Sequence, residues 1–291
     1  MTSRLRFDLH GALRQLPGLP GTVTGALAAI REDDGCSDRA ADLILRDGDF
    51  AARVLQMLNS PFYGTGDAVE SVRSACLGLD ATTLERAMVA ASVIGQFPHA
   101  GNERFDRFAF WEHSIGVAVI AQTLARTLGE NAERGFTAGL LHDLGRLILD
   151  SYFPRDFSAV LGYRRRHDTW IRDAEVAVLG FDHCVLGARV AEQWAFPEDL
   201  IEAIRHHHQP ESDDVQHEVT RIVHIADILV RGLEFGDPGD DAMPLLSQTA
   251  MKRLGLNWQG LREALRAADP LLPQARQLMR ASLGAQDTAT A

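Results

Sequence analysis

The chain has 291 residues, 46% of them hydrophobic and 24% charged, with a formal net charge of −11. This is an ordinary globular composition, long enough for a substantial core and for about two domains or one large one. The acidic balance argues against a sequence-independent grip on nucleic acid or an anionic membrane. No apolar run nears the roughly 20 residues of a membrane helix, and Met1 to Asp8 lacks a signal-peptide core. Cys36, Cys76 and Cys184 are odd in number and form no CxxC pair, so neither a disulfide framework nor a cysteine zinc site is expected. The reading is a cytoplasmic protein.

In chain order, Pro17 and Pro20 keep the entry extended, and Val23, Leu27 and Ile30 then mark a helix face. Asp33, Asp34 and Gly35 form a turn. Ser37 caps a helix packed through Ala41, Ile44 and Leu45, and the pattern resumes from Phe50 to Leu58. Asn59-Ser-Pro-Phe-Tyr-Gly64 stops that helix, with Phe62 and Tyr63 read as anchors between helices rather than as a partner surface. Ser71 caps a helix through Leu77, and Leu84 to Val93 forms another. Pro98 to Asn102 is the best boundary. Leu245 to Leu254 and Leu261 to Ala267 read as two amphipathic helices, and the small polar residues from Ser282 as a frayed end. With no strand-type alternation, the class is all-α: an N-terminal layer (1–102), a helical bundle (103–235) and a C-terminal extension (236–291).

The chemistry concentrates in the bundle. Leu140, Leu141, Leu144, Leu147 and Ile148 wrap a buried helix around His142 and Asp143. A buried carboxylate needs a cation, a metal or donors, so Asp143 must have partners. The rest of the chain offers them. His113 shares a stripe with Val117, Ile120, Leu124 and Leu128. His183 opens a helix behind a cap residue, Asp182, with Val190 and Trp194 continuing its face. His207 or His208 prolongs the face of Leu200, Ile201 and Ile204, and Asp227 is the one formal charge in Ile222 to Val230. Taken singly, each has a structural explanation: a hydrogen-bonded core histidine, an Asp143–Arg146 pair, a buried salt bridge at Asp227. Taken jointly they predict convergence. His224 falls on another face, and His206 is the least inward of its trio.

The order His113, His142-Asp143, Asp227 resembles the HD superfamily of metal-dependent phosphohydrolases. Leu16-Pro-Gly-Leu-Pro20, Arg53 to Gly64, Ser71 to Asp80, Phe110-Trp-Glu-His113 and Ala203 to Pro210 narrow the resemblance to its HDOD branch, output domains of bacterial signalling, over roughly residues 12–232. The resemblance implies a first shell of His113, His142, Asp143 and Asp227, with His183, His207 and His208 serving a second metal or a phosphate. Imidazole and carboxylate suit iron, manganese, zinc, cobalt or nickel, at one or two ions per chain. In an active member Asp143 would act at the metal, and Arg146 would hold phosphate where related cyclic-dinucleotide hydrolases carry a lysine. The chain departs from those hydrolases in lacking a Gly-Tyr-Pro loop after His208 and in placing Ala109 where they carry a glutamate, which argues against cyclic di-GMP hydrolysis. The expectation is a metal-binding regulator acting on signalling proteins, with a metal-dependent phosphohydrolase of a nucleotide or other phosphoester as the alternative. A nucleotide or phosphate ligand and a homodimer are compatible with it. No membrane or nucleic-acid partner is expected.

Overall fold

The computed structural model describes residues 8–32, 38–60, 62–63, 68–94, 97, 104–240, 242–277 and 279. Among them lie sixteen helices and no strand, as the all-α pattern predicts. The expectations at Asp33 to Gly35 and Ser37, at Pro61 and Gly64, at Pro98 to Asn102 and from Ser282 onward fall outside the described residues.

The N-terminal layer comprises α1 (Leu9–Gln15), α2 (Gly21–Glu32), α3 (Asp38–Leu45), α4 (Gly48–Leu58), α5 (Val72–Gly78) and α6 (Ala81–Ile94). Val23, Leu27 and Ile30 are buried, as their spacing requires. Leu45 is not: the buried stripe of α3 ends at Ile44, and Leu45, its last residue, is 45% exposed. Ser71 caps α5 in a capping box with Ser74. Phe62 and Tyr63 are fully buried anchors. Phe62 stacks on Phe136 at 5.1 Å and Tyr63 meets the same ring edge-on at 5.4 Å. Gln122 Nε2 donates to the Phe62 carbonyl. A buried ion pair, Arg86 Nη2 donating to both Asp199 carboxylate oxygens at 2.7 and 2.8 Å, ties α6 to the bundle.

The bundle comprises α7 (Arg107–Leu128), α8 (Ala132–Leu141), α9 (Leu144–Tyr152), α10 (Pro154–His167), α11 (Ile171–Leu179), α12 (His183–Gln193), α13 (Glu198–His206) and α14 (Glu218–Gly232). Nearly every side chain of α7 from Phe110 to Ala125 is buried, so α7 is the axis on which α8 and α14 pack. Gly139 makes the α7–α8 contact possible. A Cβ there would lie 2.7 Å from the Ala118 Cα, so the two backbones touch. One expectation needs correction: residues 138–148 are not one helix. The chain breaks at the His-Asp pair, where His142 ends α8 and Asp143 precedes α9 with φ −97 and ψ 21. Leucine periodicity runs through the break because both short helices bury the same side. Gly145 then lets α9 abut α12, since a Cβ would stand 1.9 Å from the His183 carbonyl oxygen.

The extension adds α15 (Gln248–Arg253) and α16 (Trp258–Ala268). The first begins three residues later than Leu245, which is 88% exposed, because Ser247 provides the cap. One continuous hydrophobic core runs from Leu16 to Met279 and joins all three stretches. Among the described residues no helix is long and apolar enough to cross a membrane. Cys76 is disulfide-bonded, contrary to the expectation from spacing, whereas Cys184 is free and buried. Spacing along a chain carries no information on which sulfurs fold together.

Candidate metal centre

Five parts of the bundle aim His or Asp at one interior point. His113 lies in the second turn of α7 and Asp227 on the facing α14, His142 and Asp143 at the α8–α9 break, His183 at the first position of α12, and His207 and His208 just after α13. Except for the partly exposed His208, these are buried, with no relative exposure above 2%. Three imidazoles are oriented by a bond at Nδ1. His142 Nδ1 donates to the Gly139 carbonyl at 2.7 Å, and His207 Nδ1 to that of Ile204 at 3.1 Å. His183 Nδ1 lies 2.6 Å from Glu175 Oε2, which also accepts from the His183 amide at 2.8 Å. At His142 and His207 the proton on Nδ1 leaves Nε2 inward and unpartnered, whereas His183 Nε2 lies 3.5 Å from Arg146 Nη2 and 3.4 Å from Cys184 Sγ.

The inward atoms sit at coordination spacing. His183 Nε2 and His207 Nε2 lie 3.1 and 3.5 Å from Asp143 Oδ1, His142 Nε2 lies 3.4 Å from Asp143 Oδ2, and His113 Nε2 lies 3.1 Å from Asp227 Oδ1. Nitrogen and oxygen ligands at metal distances of 2.0–2.2 Å have mutual edges of about 3.0–3.5 Å. These contacts are close but lack hydrogen-bond alignment: His113 Nε2, His142 Nε2, His207 Nε2 and Asp143 Oδ1 are buried without a hydrogen-bond partner. Buried orphan atoms of this kind are costly unless something else satisfies them. The donor set therefore fits a divalent transition metal. Three groupings have mutually close ligand atoms: His113, His142 and Asp227; His142, Asp143 and His207; and His183, Cys184, His207 and His208.

Buried charges flank the point. Burial would raise the Asp143 carboxyl, but Arg146, His142 and His183 outweigh it and hold it well below its ordinary range. Asp227 is likewise held down by Arg231 and His113 against burial. Burial pushes His113 and His208 down and brings His207 to about 4, so these imidazoles stay neutral, the state a ligand needs. His183 goes the other way. Burial and Arg146 oppose its protonation, yet Cys184, Glu175 and Asp143 prevail.

All seven residues expected as ligands are thus brought together. Arg146, expected to hold phosphate, is already engaged by protein groups. It is 1% exposed, and its Nη1 donates to Asp143 Oδ2 at 2.7 Å and to the Pro238 carbonyl at 2.8 Å. It orients the carboxylate. His224 is no ligand, as its spacing implied: its Nδ1 donates to the His207 carbonyl at 2.8 Å. Sequence reading missed four participants. Glu175 orients His183, and Arg231 bridges Asp227 (2.9 Å) and Asp240 (2.5 Å). Cys184 Sγ lies 3.4 Å from His183 Nε2. Of these, Arg231 had a sequence signal, four residues beyond Asp227 on the same helix face. A cleft of about 230 Å³ is lined by Trp170, Arg172, Arg231, Asp240 and Arg146 and, of the seven ligand candidates, by His208.

A bundle with a helix break at a His-Asp pair, facing a histidine and an aspartate on two neighbouring helices, defines the HD class of fold and site. Within that class, the model of the HDOD domain matches residues 16–210, and the chain belongs to the HDOD family. The fold is shared with a solved HDOD domain protein of unknown function from Geobacter sulfurreducens: TM-score 0.69, 24% identity, covering 94% of this chain and 99% of that one. An uncharacterized protein of Treponema pallidum is 21% identical over 240 residues, 81% of this chain and 46% of the relative. Ribonuclease Y of Mesoplasma florum is 32% identical over 117 residues, 40% of this chain and 18% of the enzyme. The chain spans less than half the length of either curated relative.

Proposed function

We propose that this HDOD chain is a bacterial regulatory module that binds one or two divalent transition metal ions and acts through protein partners. The observation that carries the reading is that His113 Nε2, His142 Nε2, His207 Nε2 and Asp143 Oδ1 are buried and unpartnered, each 3.1–3.5 Å from another ligand atom of the cluster. His113, His142, Asp143 and Asp227 would hold one ion, and His183, His207 and His208 would serve a second. When bound, such an ion supplies Lewis acidity and can lower the pKa of water. Arg146 and Arg231 keep the two carboxylates ionised and aimed, while Glu175 keeps His183 turned inward. Partner contacts would fall on the N-terminal layer and the C-terminal extension, where Leu77, Leu245 and Trp258 are 89%, 88% and 70% exposed. Metal analysis of the purified protein should find about one or two ions per chain, and Asp143→Ala should remove most of that metal. A metal-free wild type whose thermal midpoint ignores chelators overturns the reading.

A second reading, hydrolysis of a phosphoester, is favoured by the cleft that His208 lines beside Arg146 and Arg231 and by the local likeness to a ribonuclease. The metal-loaded protein would be screened against nucleoside phosphates, cyclic dinucleotides and a model phosphodiester. Metal-dependent turnover lost in His142→Ala would replace the regulator with an enzyme.

A further inference from the structure

The proposed function gives cysteine no role, yet Cys184 stands in one of the three groupings of close ligand atoms. We propose that Cys184 is the fourth protein ligand of a closed metal position formed with His183, His207 and His208. The inference rests on the cluster binding metal at all, and it adds the ligand set, the preferred metals and the closed character of one position.

Each of the four residues offers one ligand atom, and these atoms all lie within 4.8 Å of one another. The Cys184 sulfur is free, 2% exposed and 3.4 Å from His183 Nε2. Independently, His207 Nε2 is fully buried with no hydrogen-bond partner, and its ring is fixed by Nδ1 at the Ile204 carbonyl. In a tetrahedral site with metal–sulfur and metal–nitrogen distances of about 2.3 and 2.0–2.1 Å, ligand edges are about 3.3–3.6 Å. The sulfur–His183 separation already meets that figure. The widest pair closes by about 1 Å, within reach of small side-chain rotations on four neighbouring residues.

The amides at the start of α12 are already engaged, that of His183 by Glu175 and that of Val185 by Asp182, so the charge that favours a thiolate is the ion's own. On coordination the S–H proton leaves to solvent and the sulfur lone pair goes to the metal. One thiolate and three imidazoles select zinc, cobalt or iron over manganese or magnesium. Four protein ligands leave no place for water, so an ion here is held, whereas the carboxylate groupings around Asp143 and Asp227 remain open to chemistry.

The test is cobalt(II) loading of the full chain, followed by near-ultraviolet spectroscopy. Wild type should show a sulfur-to-cobalt charge-transfer band; Cys184→Ser should lose it and about one ion per chain while keeping the remaining metal. X-ray absorption on zinc-loaded wild type should show a sulfur neighbour, an answer that needs no variant to fold. Cobalt-loaded wild type with neither band nor sulfur neighbour overturns the inference and leaves the metal centre standing. A Cys184→Ser variant that keeps both band and stoichiometry overturns it equally. No metal uptake by wild type sinks the metal centre itself.

Discussion

Glu175 offers the sharpest separation between a metal ligand and an ordinary core histidine at position 183. Its carboxylate is fully buried and accepts both the amide and the Nδ1–H of His183, at 2.8 and 2.6 Å. Both donors share Oε2, so Glu175→Gln keeps the volume and can keep its one carbonyl oxygen beneath them, but it removes the charge from both bonds. A hydrogen bond to a charged group contributes about 1.5–3 kcal/mol, so the metal-free protein should lose roughly one such bond's worth of stability, read by urea unfolding. A residue that orients a ligating histidine has a second effect. Losing it costs about 10–100-fold in metal affinity, or about 1.4–2.7 kcal/mol. Competition for zinc against a chromophoric chelator measures that part. A variant destabilised in the apo form but unchanged in zinc affinity would refute His183 as a ligand and make Glu175 purely structural.

Two other perturbations test parts of the fold away from the centre. Asp199→Ala strands the buried Arg86 guanidinium, 3% exposed at its side chain, and should cost about 3–5 kcal/mol, while Arg86→Met combined with Asp199→Leu should cost much less; equal losses in denaturant melts would contradict this account of the pair. Glu202 is held below its ordinary value of 4.5: burial pushes it up, but the Thr220 hydroxyl and the Gln216 and His217 amides outweigh burial. Its folded pKa being depressed, the stability it contributes is full above about pH 4.5 and drains away as pH falls through the folded value. Wild type should therefore exceed Glu202→Gln in stability at neutral pH, with the gap narrowing below about pH 4.5; a gap independent of pH between 7 and 3 would disprove the linkage.

Much of this was legible in the order of residues, for reasons that differ by element. The stripe from His113 to Leu124 and the cap at Asp182 are local patterns, and they place two of the ligands without tertiary knowledge. Asp143 announced itself by the cost of burying a charge. The break between Leu141 and Leu144 was hidden because its leucines satisfy one continuous helical period as well as two short helices. Glu175 could not be read at all. It looks like any polar residue of α11, and only the fold, eight positions and one turn later, sets it under His183. Cys184 was discounted as a scattered thiol, since the feature that distinguishes it is the set of imidazoles brought beside it from α13's end. Asp240 sat beyond an apparent boundary and reaches the centre only because the chain folds back over Arg231.

The aromatic plug of the first layer has a mechanical corollary. Phe62 and Tyr63 close on Phe136, and Phe136 stands six residues before His142, about 9 Å along a helix axis. That helix has no slack against its neighbour, its Gly139 backbone lying on that of Ala118. Socket and imidazole are thus two ends of one short strut. A tug on the plug is a displacement of the ligand, and an ion that draws the ligand inward pulls on the plug.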